Sequence, residues 1–156
     1  MANGDDLDVI LAVEDAGDNV PAEDRQAAEA VLTDTEYNVG MYLNIDLIKL
    51  INGQQVGKIT NISSPISVTI EIPEILRGDN RDYAILRVHE GTAEILEDRD
   101  NAPDTLTVLT DRFSTYAIVY RDSPDDDGRN PATGANLMIV PVVVIAANLI
   151  VSQKRR

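Results

Sequence analysis

Between Tyr37 and Arg121, apolar and polar residues alternate in short runs separated by turn-forming residues. Ile66, Val68, Ile70 and Ile72 fall on one side of their run, and Ser67, Thr69 and Glu71 on the other. Successive side chains of an extended chain point to opposite faces, so a period of two predicts a strand with one buried face. Ala84, Leu86 and Val88 oppose Ile85, Arg87 and His89 in the same way. The runs Tyr37–Lys49, Gln55–Ile62, Ile66–Ile72, Tyr83–His89, Thr92–Glu97, Thr105–Leu109 and Thr115–Arg121 all read as strands. Glu90-Gly91 predicts a tight hairpin between two of them. Asp79-Asn80 and the Pro-containing stretch Asn101–Asp104 predict longer turns. Many short strands at this spacing predict a mainly β fold, an antiparallel β-sandwich.

The first 36 residues follow a different pattern. Leu7–Glu14 alternates and reads as a further strand of the sheet. Pro21–Leu32 reads as a short helix, placed at about residues 20–33. Pro21 suits a first turn, and Glu23 and Asp24 suit its positive end. Ala27, Ala28, Val31 and Leu32 make a narrow apolar stripe for packing on, or capping, the sandwich. Residues 1–122 therefore form one β-sandwich module. An acidic, Pro- and Gly-containing linker follows at 123–129, with Asp125–Asp127 at its centre.

Period two ends there, and a continuous apolar run begins. Leu137–Val151 is 15 residues without a charge. As a helix it would rise about 22 Å at ~1.5 Å per residue, against a hydrocarbon core of about 30 Å. The uncharged neighbours Ala135–Asn136 and Ser152–Gln153 extend it, so it predicts a short transmembrane helix. Lys154, Arg155 and Arg156 follow it, whereas residues 121–133 carry four Asp and two Arg. Cations collect on the cytoplasmic side of a membrane segment, which places the sandwich outside.

Asn130-Pro131-Ala132-Thr133-Gly134 stands immediately before this span. A Pro-x-Thr-Gly pentapeptide, an apolar span and a basic tail, in that order, resemble the cell-wall sorting signal of Gram-positive surface proteins. The resemblance covers residues 130–156. It implies that a sortase thiolate attacks the Thr133 carbonyl, releases Gly134 onward, and passes Thr133 to an amine of a peptidoglycan precursor. Pro131 biases Asn130 toward an extended shape, and Gly134 leaves the scissile bond open to approach. The commonest pattern begins with Leu. Asn130 in that place resembles the variant signals. Lys154–Arg156 would retain the chain at the membrane until it is cut.

Pro65–Gly91 and Thr110–Asp122 add a second likeness. They resemble a wall-proximal β-sandwich module found before sorting signals in surface proteins of Firmicutes-type bacteria. Together the two likenesses imply a surface protein anchored in the cell wall, after a transient single-pass membrane stage. Its sandwich is then a stalk that spaces or presents an upstream region. The implied partners are the sortase, the peptidoglycan precursor and, before sorting, the membrane; any host ligand would be met through upstream regions. The alternative is an adhesin-type module whose sandwich loops themselves recognise host glycan or protein. The first ten residues show no basic and apolar leader, so an export signal is expected upstream of an internal start. From Arg121 to Asn130 the chain reaches at most about 35 Å, which keeps the sandwich inside the envelope.

Composition narrows the remaining chemistry. The net charge of −14, from 27 acids and 13 bases, repels a nucleic-acid backbone, and no nucleic-acid partner is expected. Without Cys there is no disulfide and no thiolate. His89 is the only His, so a zinc site or a nucleophile–His pair has little to build on. It is expected on the more polar strand face, as a surface or partner-contacting ring. Asp98, Asp100, Asn101 and Asp104 offer oxygens for Ca²⁺ at one turn, but the EF-hand spacing is absent and a solvated turn is expected. Tyr116 and Tyr120 share a strand face with Ile118, as core residues would. Glu94 and Asp111 could be drawn as a carboxylate pair, though nothing in their spacing selects them. No cofactor and no catalytic residue is assigned: the chain reads as the substrate of an enzyme.

Overall fold

The computed structural model describes Gly4, residues 6–123 and Ile150–Ser152. The chain runs β1 (Leu7–Asp15), α1 (Ala22–Leu32), β2 (Asn38–Ile51), β3 (Gln54–Ile59), β4 (Asn61–Glu71), β5 (Arg81–His89), β6 (Thr92–Leu96), β7 (Thr105–Arg112), β8 (Thr115–Asp122) and β9 (Ile150–Ser152). Single 3₁₀ turns precede α1 and β5. Antiparallel pairing joins the strands into a large sheet ordered β6-β5-β8-β2-β1-β9, in which β3 also pairs with β2. A second sheet holds β4 and β7. The fold is mainly β with one helix, as the alternation predicts.

Two hairpins are set by residues in the left-handed region. Asn52 and Gly53 have φ of 51° and 78°, and Glu90 and Gly91 have 50° and 74°. Positive φ at both central positions is a type I′ turn, whose twist matches that of the flanking strands. The helix also follows its sequence. Pro21 caps it, and the Pro21 carbonyl accepts the N–H groups of Asp24 and Arg25, both at 3.1 Å. It stops at Thr33, whose N–H and hydroxyl both reach the Glu29 carbonyl.

Three layers result. Leu11, Val13, Leu43, Ile45, Leu47, Ile85, Tyr116 and Ile118 from the large sheet meet Val68, Ile70, Leu106 and Val108 from the small one. On the opposite face of the large sheet, Ala28 and Leu32 of α1 pack on Ala84, Leu86, Val88, Ala117 and Val119. Strands β5 and β8 are consequently buried on both faces, whereas alternation predicts one. Fully burying an Ile, Leu or Phe stabilises by ~1.5–3 kcal/mol, so the larger inter-sheet core dominates and α1 contributes a smaller share. Every buried core side chain among the described residues lies between Leu11 and Val119.

The run Gln55–Ile62 divides at Thr60, which ends β3 and starts β4 toward the other sheet. Of the expected transmembrane segment at 137–151, only Ile150 and Val151 fall among the described residues. Ile150 and Val151 lie in β9, paired in register against Ile10 and Val9 of β1. The outer edge of β1 offers unpaired backbone groups, and β-branched residues suit a strand. Residues 137–149 lie outside the described residues. Among the described residues, no helix is long and apolar enough to cross a membrane.

Candidate functional site

The pentapeptide Asn130–Gly134, the basic tail Lys154–Arg156 and the linker beyond Ser123 lie outside the described residues. What the structure shows is how the chain leaves the sandwich on its way to them. The exit is the C-terminal end of β8, between β5 and β2. Arg81, the first residue of β5, grips it. Its Nε donates to Asp122 Oδ1 at 2.6 Å and its Nη2 to Asp122 Oδ2 at 3.1 Å. Nη1 of the same guanidinium donates to the Leu76 carbonyl, and the plane lies 3.9 Å from the Tyr120 ring centroid. The Arg81 hydrogen bond holds the Asp122 carboxyl below the usual carboxylate range. One residue on, Ser123 N–H donates to the Asn80 carbonyl at 2.8 Å. Arg121 pairs with Asp82 at 3.1 Å and lies over Tyr37. A bidentate Arg–carboxylate contact fixes geometry as well as charge, so the last strand is tied to β5 by side chains as well as by its ladder.

A cleft of about 1000 Å³ opens beside this exit, lined by Tyr37, Tyr83, Asp98, Asn101, Arg121 and Ser123 among others. Two of the four calcium candidates, Asp98 and Asn101, line it. The carboxylates of Asp98 and Asp100 serve the protein itself. Asp98 Oδ1 accepts N–H groups from Asp100 and Thr107, and Asp100 accepts from Ala102 N–H and from the Thr105 and Thr107 hydroxyls. The Thr107 hydroxyl, then the Ala102 N–H, lower the Asp100 carboxyl below its ordinary value. Asn101 and Asp104 are exposed, and the Asp104 carbonyl accepts Ile72 N–H. Among the described residues, no group of three or more His, Cys, Asp or Glu side chains is arranged to hold a metal ion. These hydrogen bonds order the β6–β7 turn.

At the other side of the inter-sheet core, Arg87 is buried, with its side chain 9 % exposed. Its guanidinium bonds Thr110 Oγ1 at 2.9 Å, Asp111 at 3.1 Å and Glu94. Glu94 and Asp111, unselected by spacing, thus meet on one cation. Tyr116 completes the group through Thr110 Oγ1 at 2.7 Å and the Arg112 carbonyl. Burial pushes the Tyr116 phenol up, opposed by the Thr110 hydrogen bond. The arrangement links β5, β6, β7 and β8, which ties one sheet to the other.

His89 is corrected. It is buried at 7 % exposure, and neither ring nitrogen has a hydrogen-bond partner among the described residues. It shares its strand face with Ile85 and Arg87, and that face is the inner one, so a polar residue pattern there does not mean solvent. Tyr116 and Ile118 belong to the core as expected, whereas Tyr120 is half-buried under Arg81. A buried pair that sequence reading missed joins α1 to the sheet: Thr115 Oγ1 donates to Asp24 Oδ2 at 2.6 Å. No family model, curated protein or solved structure matches the chain.

Proposed function

We propose that this chain is the wall-proximal stalk module of a cell-wall-anchored surface protein, and a sortase substrate cleaved between Thr133 and Gly134. The observation that supports the stalk reading is the direction of the strands. β1 and β8 are each antiparallel to β2, on opposite sides of it, and are therefore parallel to each other. Leu7 lies at the Ile51 end of β2, and Tyr120 lies opposite Asn38 at the other end. The 14 residues of β2 separate those ends by roughly 45 Å at ~3.3 Å per residue. Tension applied through Leu7 and Asp122 drags β1 and β8 in opposite directions along β2. The ladders are then loaded in shear, with many bonds sharing the pull, and the Arg81–Asp122 contact sits where the anchored side of that tension enters.

The anchoring chemistry comes from the sequence. In the proposed reaction a sortase thiolate adds to the Thr133 carbonyl and the Thr133–Gly134 bond breaks, with the proton going to the departing amine. A peptidoglycan precursor amine then displaces the thiolate. The chain supplies the acyl group and no catalytic side chain. The membrane holds the chain before this step, and the cell wall holds it afterwards.

The adhesin-type reading, recognition of host glycan or protein by sandwich loops, draws on the cleft with its Tyr37, Tyr83 and Asn101. That cleft opens at the exit end, which in an anchored molecule faces the wall. The stalk reading is therefore the stronger. Its test is expression behind an export signal in a sortase-bearing Gram-positive host. Muramidase digestion is expected to release the chain from the wall fraction, and Thr133→Ala to abolish that release. A chain never found in the muramidase-released material contradicts anchoring. Saturable binding of residues 1–122 on a glycan and matrix-protein array favours the second reading.

A further inference from the structure

The outer edge of β1 is a strand-accepting site, and its occupant is visible. Two hydrogen bonds fix which way β1 points its backbone groups. Asn52 N–H donates to the Asp6 carbonyl at 2.9 Å, and Ala16 N–H to the Tyr42 carbonyl at 3.0 Å. Both pairs continue the β1–β2 register, so even-numbered residues of β1 direct N–H and C=O toward β2. Odd-numbered residues direct theirs outward. β9 pairs on that outer side, with Val151 opposite Val9. In an antiparallel ladder, opposed residues alternate between bonded and non-bonded pairs, which makes Val9 and Val151 the pair that exchanges N–H···O=C bonds.

The surroundings suit an apolar strand. Ile10 is directly opposite Ile48 on the face of the large sheet that carries α1 further along. Ile10, Ile48 and Leu50 are all only half-buried there, and Val56 of β3 is 53 % exposed. An unprotected apolar edge strand invites another strand, and long-range strand addition to such an edge is a general recognition mode. Reach is no obstacle. The 27-residue interval from Ser123 to Ile150 can extend about 90 Å, twice the roughly 45 Å length of β2.

We propose that the β1 edge is a binding site for an extended apolar segment, and that away from a membrane it holds this chain's own Ile150–Ser152. The segment cannot pair with β1 and line a bilayer span at once, so the two states exclude each other. If the chain is cut after Thr133, the occupant leaves with residues 134–156 and the edge is vacated. The pairing itself does not depend on the sorting reading, because it is measured at one amide rather than at the wall linkage.

The test is amide hydrogen exchange by NMR on the full chain in lipid-free buffer, beside a Val151→Pro variant. The buried core side chains of the described residues lie between Leu11 and Val119, so the variant is expected to keep both cores, which an unchanged circular dichroism spectrum checks. Val151→Pro removes the N–H that donates to the Val9 carbonyl and so unseats this three-residue strand; Val9 N–H, whose acceptor is the carbonyl of residue 151, is then expected to exchange roughly tenfold faster. Ile10 and Ala12, whose N–H groups point at β2, should stay within about twofold and serve as internal controls. Equal Val9 exchange in the two proteins overturns the proposal. Val9 protection that rises with protein concentration overturns it too, and assigns the edge to a second copy.

Discussion

Arg87 gives the sharpest test of how the two sheets are held together. Replacing it with Ala removes a cation whose side chain is 9 % exposed, while its partners Glu94 and Asp111 are 47 % and 39 % exposed. Breaking a fully buried pair costs ~3–5 kcal/mol, but these carboxylates are more than a third open to water and rehydrate, which limits each to about a surface pair, ~0–1 kcal/mol. Losing the hydrogen bond to buried Thr110 costs roughly 1 kcal/mol, and losing two buried methylenes about 0.8 kcal/mol each. The expected destabilisation of Arg87→Ala is therefore about 3 kcal/mol. Arg87→Met keeps the apolar stem and should cost only about 1 kcal/mol. The reverse perturbation, Glu94→Gln with Asp111→Asn, strands the guanidinium without a counter-charge and should again cost about 3 kcal/mol. Urea unfolding followed by circular dichroism and by the fluorescence of the five Tyr measures all three, and an unchanged m-value keeps the comparison valid. If Met costs as much as Ala, the charge rather than the stem is what the core requires, and the ranking of effects here is wrong.

Three further outcomes follow from the same contacts. Asp24→Ala leaves the buried Thr115 hydroxyl without its acceptor and should cost ~1–3 kcal/mol, whereas the double variant with Thr115→Val should recover part of that loss in a thermodynamic cycle. Asp100 and Asp122 both have folded-state pKa values below the ordinary carboxylate value, so the unfolded chain binds more protons near that value. Their contribution is fully present above about pH 4 and is lost as pH falls through the lowered values. An acid titration of Tm showing no decline there contradicts it. Because Asp98 and Asp100 already accept protein donors, millimolar calcium and its chelation should leave Tm unchanged; a calcium-dependent rise would reinstate the β6–β7 turn as an ion site.

The strands were legible because period two leaves a direct trace. Leu7–Asp15 and Thr115–Asp122 could be drawn from alternation almost to the residue, the run from Ile66 missed the first five residues of β4, and Pro21 with Glu23 and Asp24 marked the helix. What alternation cannot say is how many layers cover a strand. His89 was placed at the surface because Arg87 and His89 look polar, yet α1 covers the other face of β5 and the inter-sheet core covers this one. Pairing order was likewise hidden, since β8 joins β5 and β2 across intervals of dozens of residues. Asn52-Gly53 was a local signal open to use, a type I′ pair that fixes the β2–β3 hairpin. The meeting of Glu94 and Asp111 on Arg87 left no such trace, because it depends on the approach of β7 to β5 and β6. The pentapeptide proposed as a sorting signal is the opposite case: that reading rests only on sequence, on its order before an apolar run and a basic tail.

The central claim, that the Thr133–Gly134 bond is exchanged for a wall linkage beyond the β8 exit, is tested most directly by mass spectrometry of the mature C-terminus. The chain would be recovered from muramidase-digested walls of a sortase-bearing Gram-positive host. The expected final peptide ends at Thr133 and carries a peptidoglycan fragment. Recovery of a chain that still ends in Lys154-Arg155-Arg156 would contradict it and leave a permanent membrane tether in its place.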